Sequence, residues 1–332
     1  MPANLTPDYL KAERAFRQAK TAPDKIAALE EMLATIPKHK GTEKMQADIK
    51  HRIAKTRAAA TQARGKGGGV DVFFVEKQGA GQVALVGTPN AGKSSLVAAV
   101  SHAKVKVAPY PYATHAPVPG MMPFEDIQIQ LVDLPPVMPE GLVPGMAGTL
   151  RNADILMICL DLSADDVLEQ AEACLRTLEA KGLVPASTRG EREGREAPEG
   201  AIAKRTIFVG TKADAPRAKD NLEALRGLRT DLEPFVVTSA ETREGLENLG
   251  KRLFAMLDVV RVYSKEPGKP ADLRQPFIVP RGSTVMNLAE TIHRELAQNL
   301  KRARIWGGGK YDGQAVHRDH VLADKDVIEL HV

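Results

Sequence analysis

Apolar residues recur at helical spacing early in the chain. Ile26, Leu29, Leu33 and Ile36 follow one another every three or four positions until Pro37 ends the pattern, and a second stripe runs through Met45, Ile49, Ile53 and Thr56. Thr6-Pro7-Asp8 has the composition of a helix start, so the spacing predicts a helical hairpin over Leu5 to Gln62. RGKGGG, Arg64 to Gly69, breaks the periodicity and reads as a linker.

From Val83 the pattern changes to short, wholly apolar runs separated by helical segments. Val83 to Val86, Ile127 to Val132, Ile155 to Leu160, Ile207 to Val209 and Phe235 to Val237 read as buried strands of a mostly parallel sheet. The stretch STRGEREGREAPEG, Ser187 to Gly200, is charged and aperiodic and reads as an inserted loop. After Val259 extended segments flank one predicted helix, Asn287 to Asn299, as in a small α+β module. The expected organisation is therefore a basic helical hairpin over 1–66, an α/β domain over 80–258 and a small domain over 259–332. With 332 residues, 43% of them hydrophobic, each can bury a core.

Composition narrows the setting. A formal charge of +4 is small for this length, so a polyanion must be met by a local patch. The two cysteines, Cys159 and Cys174, have no partners at metal-ligand spacing and read as buried thiols. The chain begins without an apolar signal core, and its longest apolar run, Ile155 to Leu160, is too short to span a bilayer. The expectation is a cytoplasmic protein with no membrane partner.

Gly87-Thr88-Pro89-Asn90-Ala91-Gly92-Lys93-Ser94 fits the phosphate-loop pattern G-x-x-x-x-G-K-[ST], with an apolar strand before it and a helical run, from Ser95, after it. Its glycines let backbone N–H groups turn toward phosphate oxygens at a helix N-terminus. Lys93 would neutralise the β and γ phosphates, and Ser94 would take a Mg²⁺ position. Asp133, closing IQIQLVD, could hold Mg²⁺ through water, and Thr114 is the candidate switch hydroxyl.

Thr211-Lys212-Ala213-Asp214 follows another apolar strand and is a variant of N-K-x-D with Thr211 in place of Asn. A carboxylate at Asp214 accepts from both the ring N–H and the exocyclic amine of guanine, a pairing adenine cannot offer, while the Lys212 stem can lie over the base. Thr238-Ser239-Ala240 completes the series, with backbone suited to the guanine oxygen.

GTPNAGKS, PYATHAPVPG, DLPP, TKAD and TSA, in this order, resemble the Obg-like translation-factor GTPases, most closely the developmentally regulated GTP-binding branch. RVYSKEPGKPADLRQPFIVPRGSTVMNLAETIH, RARIWGGG and DHVLADKDVIEL are similar to that branch's TGS domain, and ATIPKHKGTEKMQADIKHRIAKTRA to its helical N-terminal region. The resemblance implies a P-loop GTPase fold with a β-grasp TGS domain over 259–332, binding of GTP and GDP, GTP hydrolysis, and association with ribosomes, rRNA or tRNA. It places Asn90 where related GTPases ligate K⁺, predicting potassium-stimulated turnover. Two departures stand out. Pro136 replaces the glycine of D-x-P-G and has no N–H for a γ-phosphate, and Val137 cannot orient a water as glutamine does.

Between Lys38 and Lys66 nine Lys or Arg and two His face only Glu43 and Asp48, which suits a phosphate backbone or a merely solvated surface. Arg294, Lys301, Arg302, Arg304 and Lys310 accompany Trp306, the one tryptophan, which is either a base-stacking platform or a core anchor. Three rival readings remain: a non-catalytic nucleotide-bound RNA adaptor, an ATPase similar to the Obg-like ATP hydrolases, and a metabolic kinase. An accessory protein and the oligomeric state are left open.

Overall fold

The computed structural model describes residues 16, 22–36, 49, 72–101, 116–186, 200–307 and 312–332. Thr114, Lys310, the RGKGGG linker and residues 187–199 lie outside them, as does most of the second helical stripe. The chain divides into two compact units, Met1–Asp71 and Val72–Val332. In the first unit the predicted stripe forms α1, Ala22–Thr35. Its Leu29 and Met32 cluster with Ile36 and with Ile49 of the second stripe, while Phe16 and Leu33 pack alongside.

The second unit contains two sheets. The first orders its strands β2-β3-β1-β4-β6-β5, and β7 also pairs with β6. These strands are β1 Gln82–Val86, β2 Val118–Phe124, β3 Ile127–Asp133, β4 Ile155–Asp161, β5 Leu183–Ala186, β6 Ile202–Thr211 and β7 Phe235–Val237. All pairings are parallel except β2 with β3. Alternation with a period of two divides the apolar residues between two faces. Ala84, Val86, Leu156 and Ile158 belong to one core cluster, whereas Val83, Leu85, Ile155 and Met157 belong to the other. Helices α3 (Met146–Asn152), α4 (Val167–Glu179) and α5 (Ala218–Leu228) cover the first face, while α2 (Lys93–Val100) and α6 (Leu246–Leu257) cover the second. Burial on both faces explains why these strands are continuous apolar runs.

β6 is longer than the expected Ile207 to Val209. Its first half pairs with β5 and its second half with β7. β2 was not anticipated from VPGMMPF, whose prolines are tolerated because it is an edge strand.

The second sheet is ordered β11-β10-β12-β8-β9. It comprises β8 Val259–Ser264, β9 Phe277–Pro280, β10 Arg302–Trp306, β11 Gln314–Val316 and β12 Asp326–His331, with helices α7 Val285–Ile292 and α8 Arg294–Asn299. The single helix expected over Asn287 to Asn299 is thus two. His293 is extended at φ −164°, its N–H caps Ala289, and its Nδ1 accepts from the Glu295 N–H, so one residue closes α7 and restarts the chain as α8. Thr284 and Asn287 form a reciprocal capping box that starts α7 earlier than expected. Trp306 is not in the core that Ala303 and Ile305 enter. It lies half-buried on the opposite sheet face, with Lys265 Nζ 4.5 Å from its ring centre. Among the described residues no helix is long and apolar enough to cross a membrane.

Candidate functional site

The motif residues gather at one end of the first sheet because four parallel strands, β1, β3, β4 and β6, all finish there. β1 leads into Gly87, while β3, β4 and β6 end in Asp133, Asp161 and Thr211. In open α/β sheets this carboxyl edge is where ligands bind.

The phosphate loop runs from Gly87 to α2. A Cβ on Gly87 would stand 2.9 Å from the Cys159 carbonyl, so only glycine lets β4 approach so closely. Gly92, the N-cap of α2, has φ 78° and adjoins Thr211, where an added Cβ would lie 3.1 Å away. Asn90 is left-handed at φ 63° and exposed, Pro89 is half-buried and Ala91 is buried. Lys93 is 7% exposed, and its ammonium donates to the carbonyls of Gly87 at 3.0 Å and Thr88 at 3.2 Å. Burial lowers its pKa from the ordinary lysine range, while the neighbouring Asp133 carboxylate opposes the shift. Ser94 and Ser95 lie in the first turn of α2, with their side chains half-buried.

Asp133 and Ser94 meet, as a magnesium role requires. Ser94 Oγ donates to Asp133 Oδ2 at 2.5 Å. Asp133 is 1% exposed, burial raises its pKa, and its Oδ1 has no hydrogen-bond partner among the described residues. An orphaned carboxylate oxygen beside a hydroxyl fits a hard divalent cation that prefers oxygen ligands. Four residues on, at Val137, the chain is stitched to the loop. Pro136 has no N–H, and the Val137 N–H donates to the Gly87 carbonyl at 2.9 Å.

Thr211, buried at the end of β6, donates its hydroxyl toward the Ala91 carbonyl at 2.9 Å and the Leu160 carbonyl at 3.1 Å. It therefore joins the strap Thr211–Asp214 to the phosphate loop. Asp214 is exposed, and its Oδ1 accepts from Ser239 Oγ at 2.5 Å. Ala213 N–H donates to the Thr238 carbonyl, which brings the strap beside Thr238-Ser239-Ala240. All the predicted site residues among those described thus converge on this edge, and Thr114 lies outside the described residues. Sequence reasoning missed Asp161, whose Oδ2 pairs with Lys212 Nζ at 2.5 Å. Its signal was available, since ICLD ends a buried strand in an acid just as IQLVD does.

Both cysteines are buried, and that burial pushes each thiol up to about 12, so neither is reactive at neutral pH.

Residues 82–186, which hold β1 to β5 and the phosphate loop but not β6, β7 or the strap, match the family described as 50S ribosome-binding GTPase, and residues 260–332 match the TGS domain. A GTP-binding protein of Halobacterium salinarum, itself uncharacterised, is 27% identical over 92% of this chain and 97% of its own length. Developmentally-regulated GTP-binding protein 1 of Xenopus laevis is 26% identical over 92% of this chain and 98% of its own. The solved structure of the Schizosaccharomyces pombe YchF GTPase shares the fold, with a TM-score of 0.52, 12% identity, and coverage of 78% of this chain and 99% of that one. The chain thus carries a match to a GTPase domain followed by a match to a β-grasp TGS domain, and it is similar along nearly its whole length to developmentally regulated GTP-binding proteins.

Proposed function

We propose that this chain binds Mg²⁺ and GTP at the carboxyl edge of its first sheet and hydrolyses the nucleotide slowly to GDP and phosphate. The observation that carries the reading is the bond from Thr211 to the Ala91 carbonyl, which fixes a guanine-selecting strap to a phosphate-binding loop. Asp214 would select the base. Lys93 and the loop amides would stabilise charge as water attacks the γ-phosphorus in line and the bridging P–O bond to the β-phosphate breaks. Ser94, Thr114 and Asp133 would hold magnesium, which supplies neutralisation of the β and γ oxygens when bound. Asn90, exposed on the loop, would hold the potassium ion that stimulates turnover.

The work of the cycle is placed in the cytoplasm, on the ribosome, through rRNA or tRNA. Three features support that partner: the match to a 50S ribosome-binding GTPase family, the TGS domain, and the nine Lys or Arg between Lys38 and Lys66. On this reading 1–66 is the RNA-facing hairpin, 80–258 the G domain and 259–332 the TGS domain.

A second reading, a nucleotide-bound RNA adaptor without turnover, draws support from Pro136 and from the Val137 N–H spent on Gly87. Steady-state phosphate release separates the two, with GTP compared with ATP and K⁺ with Na⁺. GTP-specific, K⁺-stimulated release is expected. Tight guanine-nucleotide binding with no release under either cation would establish the adaptor.

A further inference from the structure

Asp161 has no part in the motifs, yet both of its carboxylate oxygens are engaged. Its side chain is 9% exposed. Oδ1 accepts from the Ser163 N–H at 2.9 Å and from Ser163 Oγ at 2.6 Å, and the Asp161 N–H donates to Gln170 Oε1 at 3.0 Å. Gln170 is in turn held by Asp166 Oδ1 at 2.8 Å. Oδ2 is left for Lys212, whose ammonium lies 2.5 Å away across 51 residues of sequence. Lys212 has a left-handed backbone, φ 56°, and its side chain remains 40% exposed.

A rigid buried acid thus grips the far end of a long, half-open lysine. The pair contributes little stability, because one of its partners stays solvated. Its effect is geometric. A free lysine explores many rotamers, and binding that uses its stem must first freeze them. With the ammonium tethered, the methylene stem is already fixed beside the strap that carries Asp214.

We infer that Asp161 is a positioning residue for base recognition: it holds the Lys212 ammonium so that the stem is set in advance as the apolar surface on which the purine lies. The inference rests on the strap being the guanine site and deepens that reading. In this role Asp161 acts only through Lys212.

The test is displacement of a fluorescent GDP analogue by GDP and by inorganic triphosphate, which has no base, from wild type, Asp161→Asn, Lys212→Met and the double variant. Asn keeps the contacts to Ser163 and loses the charge, while Met keeps the stem and loses the ammonium. Each single variant is expected to bind GDP about three- to tenfold more weakly, the cost of immobilising one rotamer-rich side chain at binding. Triphosphate affinity should be unchanged, and Asp161→Asn should add nothing in the Lys212→Met background. Unchanged GDP affinity would overturn the inference, as would a parallel loss of GDP and triphosphate or a full Asp161→Asn effect without the Lys212 ammonium. If Asp161→Asn loses its folding transition, Lys212→Met, at an exposed position, carries the same test. A wild-type chain that binds triphosphate but shows no preference for a guanine nucleotide would overturn the guanine reading itself, and this inference with it.

Discussion

Arg261 of β8 reaches across to Asp126 at the tip of the β2–β3 hairpin, with Nη1 2.7 Å from Oδ1. The same nitrogen lies 2.6 Å from Glu125, while Nε and Nη2 form a fork with Asp324 at 3.0 and 2.7 Å. Beneath the guanidinium is the Phe254 ring, 4.8 Å away. One arginine, 2% exposed, therefore joins the two sheets. The planar fork suits arginine and not lysine.

Removing that cation should be costly. Arg261→Met leaves Asp126 and Asp324 without the cation they share, a loss of about 3–5 kcal/mol for a fully buried pair. Because these acids are 23% and 30% exposed, about 2–3 kcal/mol is expected once solvent screening is allowed for. Urea unfolding of the wild type, Arg261→Met and Arg261→Lys would measure this, with lysine recovering only part of the loss. Equal midpoints for all three would mean that the clasp does not hold the sheets.

Tyr263 belongs to the same clasp, its hydroxyl donating to Asp126 Oδ2. Burial, together with that bond and the Asp126 charge, pushes the phenol up to about 12 from its ordinary value of 10. A folded-state pKa above the unfolded one means that the contribution is complete below about pH 10 and is lost as pH climbs toward 12. Ultraviolet difference absorbance should show one of the five tyrosines ionising late, and Tyr263→Phe should abolish that step. A step at the ordinary pH that Tyr263→Phe removes would contradict the burial assigned to it.

What was legible in the sequence was local. The phosphate loop, Asp133 and the strap each lie at the end of a short apolar run, and period and motif coincide there. Contacts distant in sequence were hidden: Thr211 to Ala91 spans 120 residues, Lys212 to Asp161 spans 51, and Arg261 to Asp126 spans 135. No periodicity reports which acid a lysine meets. β2 was missed because two prolines and a glycine mask a strand, which only its edge position permits. The break at His293 was missed because Leu288, Ile292 and Leu296 keep helical spacing on both sides of it.

Pro136 and Val137 yield a prediction about nucleotide discrimination. The Val137 N–H is committed to the Gly87 carbonyl and Pro136 has none, so this segment offers no free amide to a γ-phosphate. Pro136→Gly restores one. A hydrogen bond to a charged group contributes about 1.5–3 kcal/mol, offset by about 1 kcal/mol for the added backbone freedom. The GTP:GDP affinity ratio should therefore rise by roughly twofold to thirtyfold, as read by competition against a fluorescent GDP analogue. An unchanged ratio together with unchanged turnover would show that the segment does not sense the third phosphate.

Thr211 closes β6 with its hydroxyl turned toward the phosphate loop. Its hydroxyl has a single proton, and that proton faces two buried carbonyls, those of Ala91 and Leu160. Thr211→Val preserves the shape and strands both acceptors, costing about 1–3 kcal/mol. Because Ala91 belongs to the phosphate loop, the damage should extend to ligands with no base, weakening inorganic triphosphate and GDP by similar factors. That parallel loss distinguishes Thr211, which shapes the loop, from Lys212, which should affect only the base. Thr211→Ser, with the hydroxyl kept, should bind both nearly as wild type does. If Val and Ser behave alike, the hydroxyl bond to Ala91 is not what holds the loop, and the close packing of Thr211 against Gly92 would be its support instead.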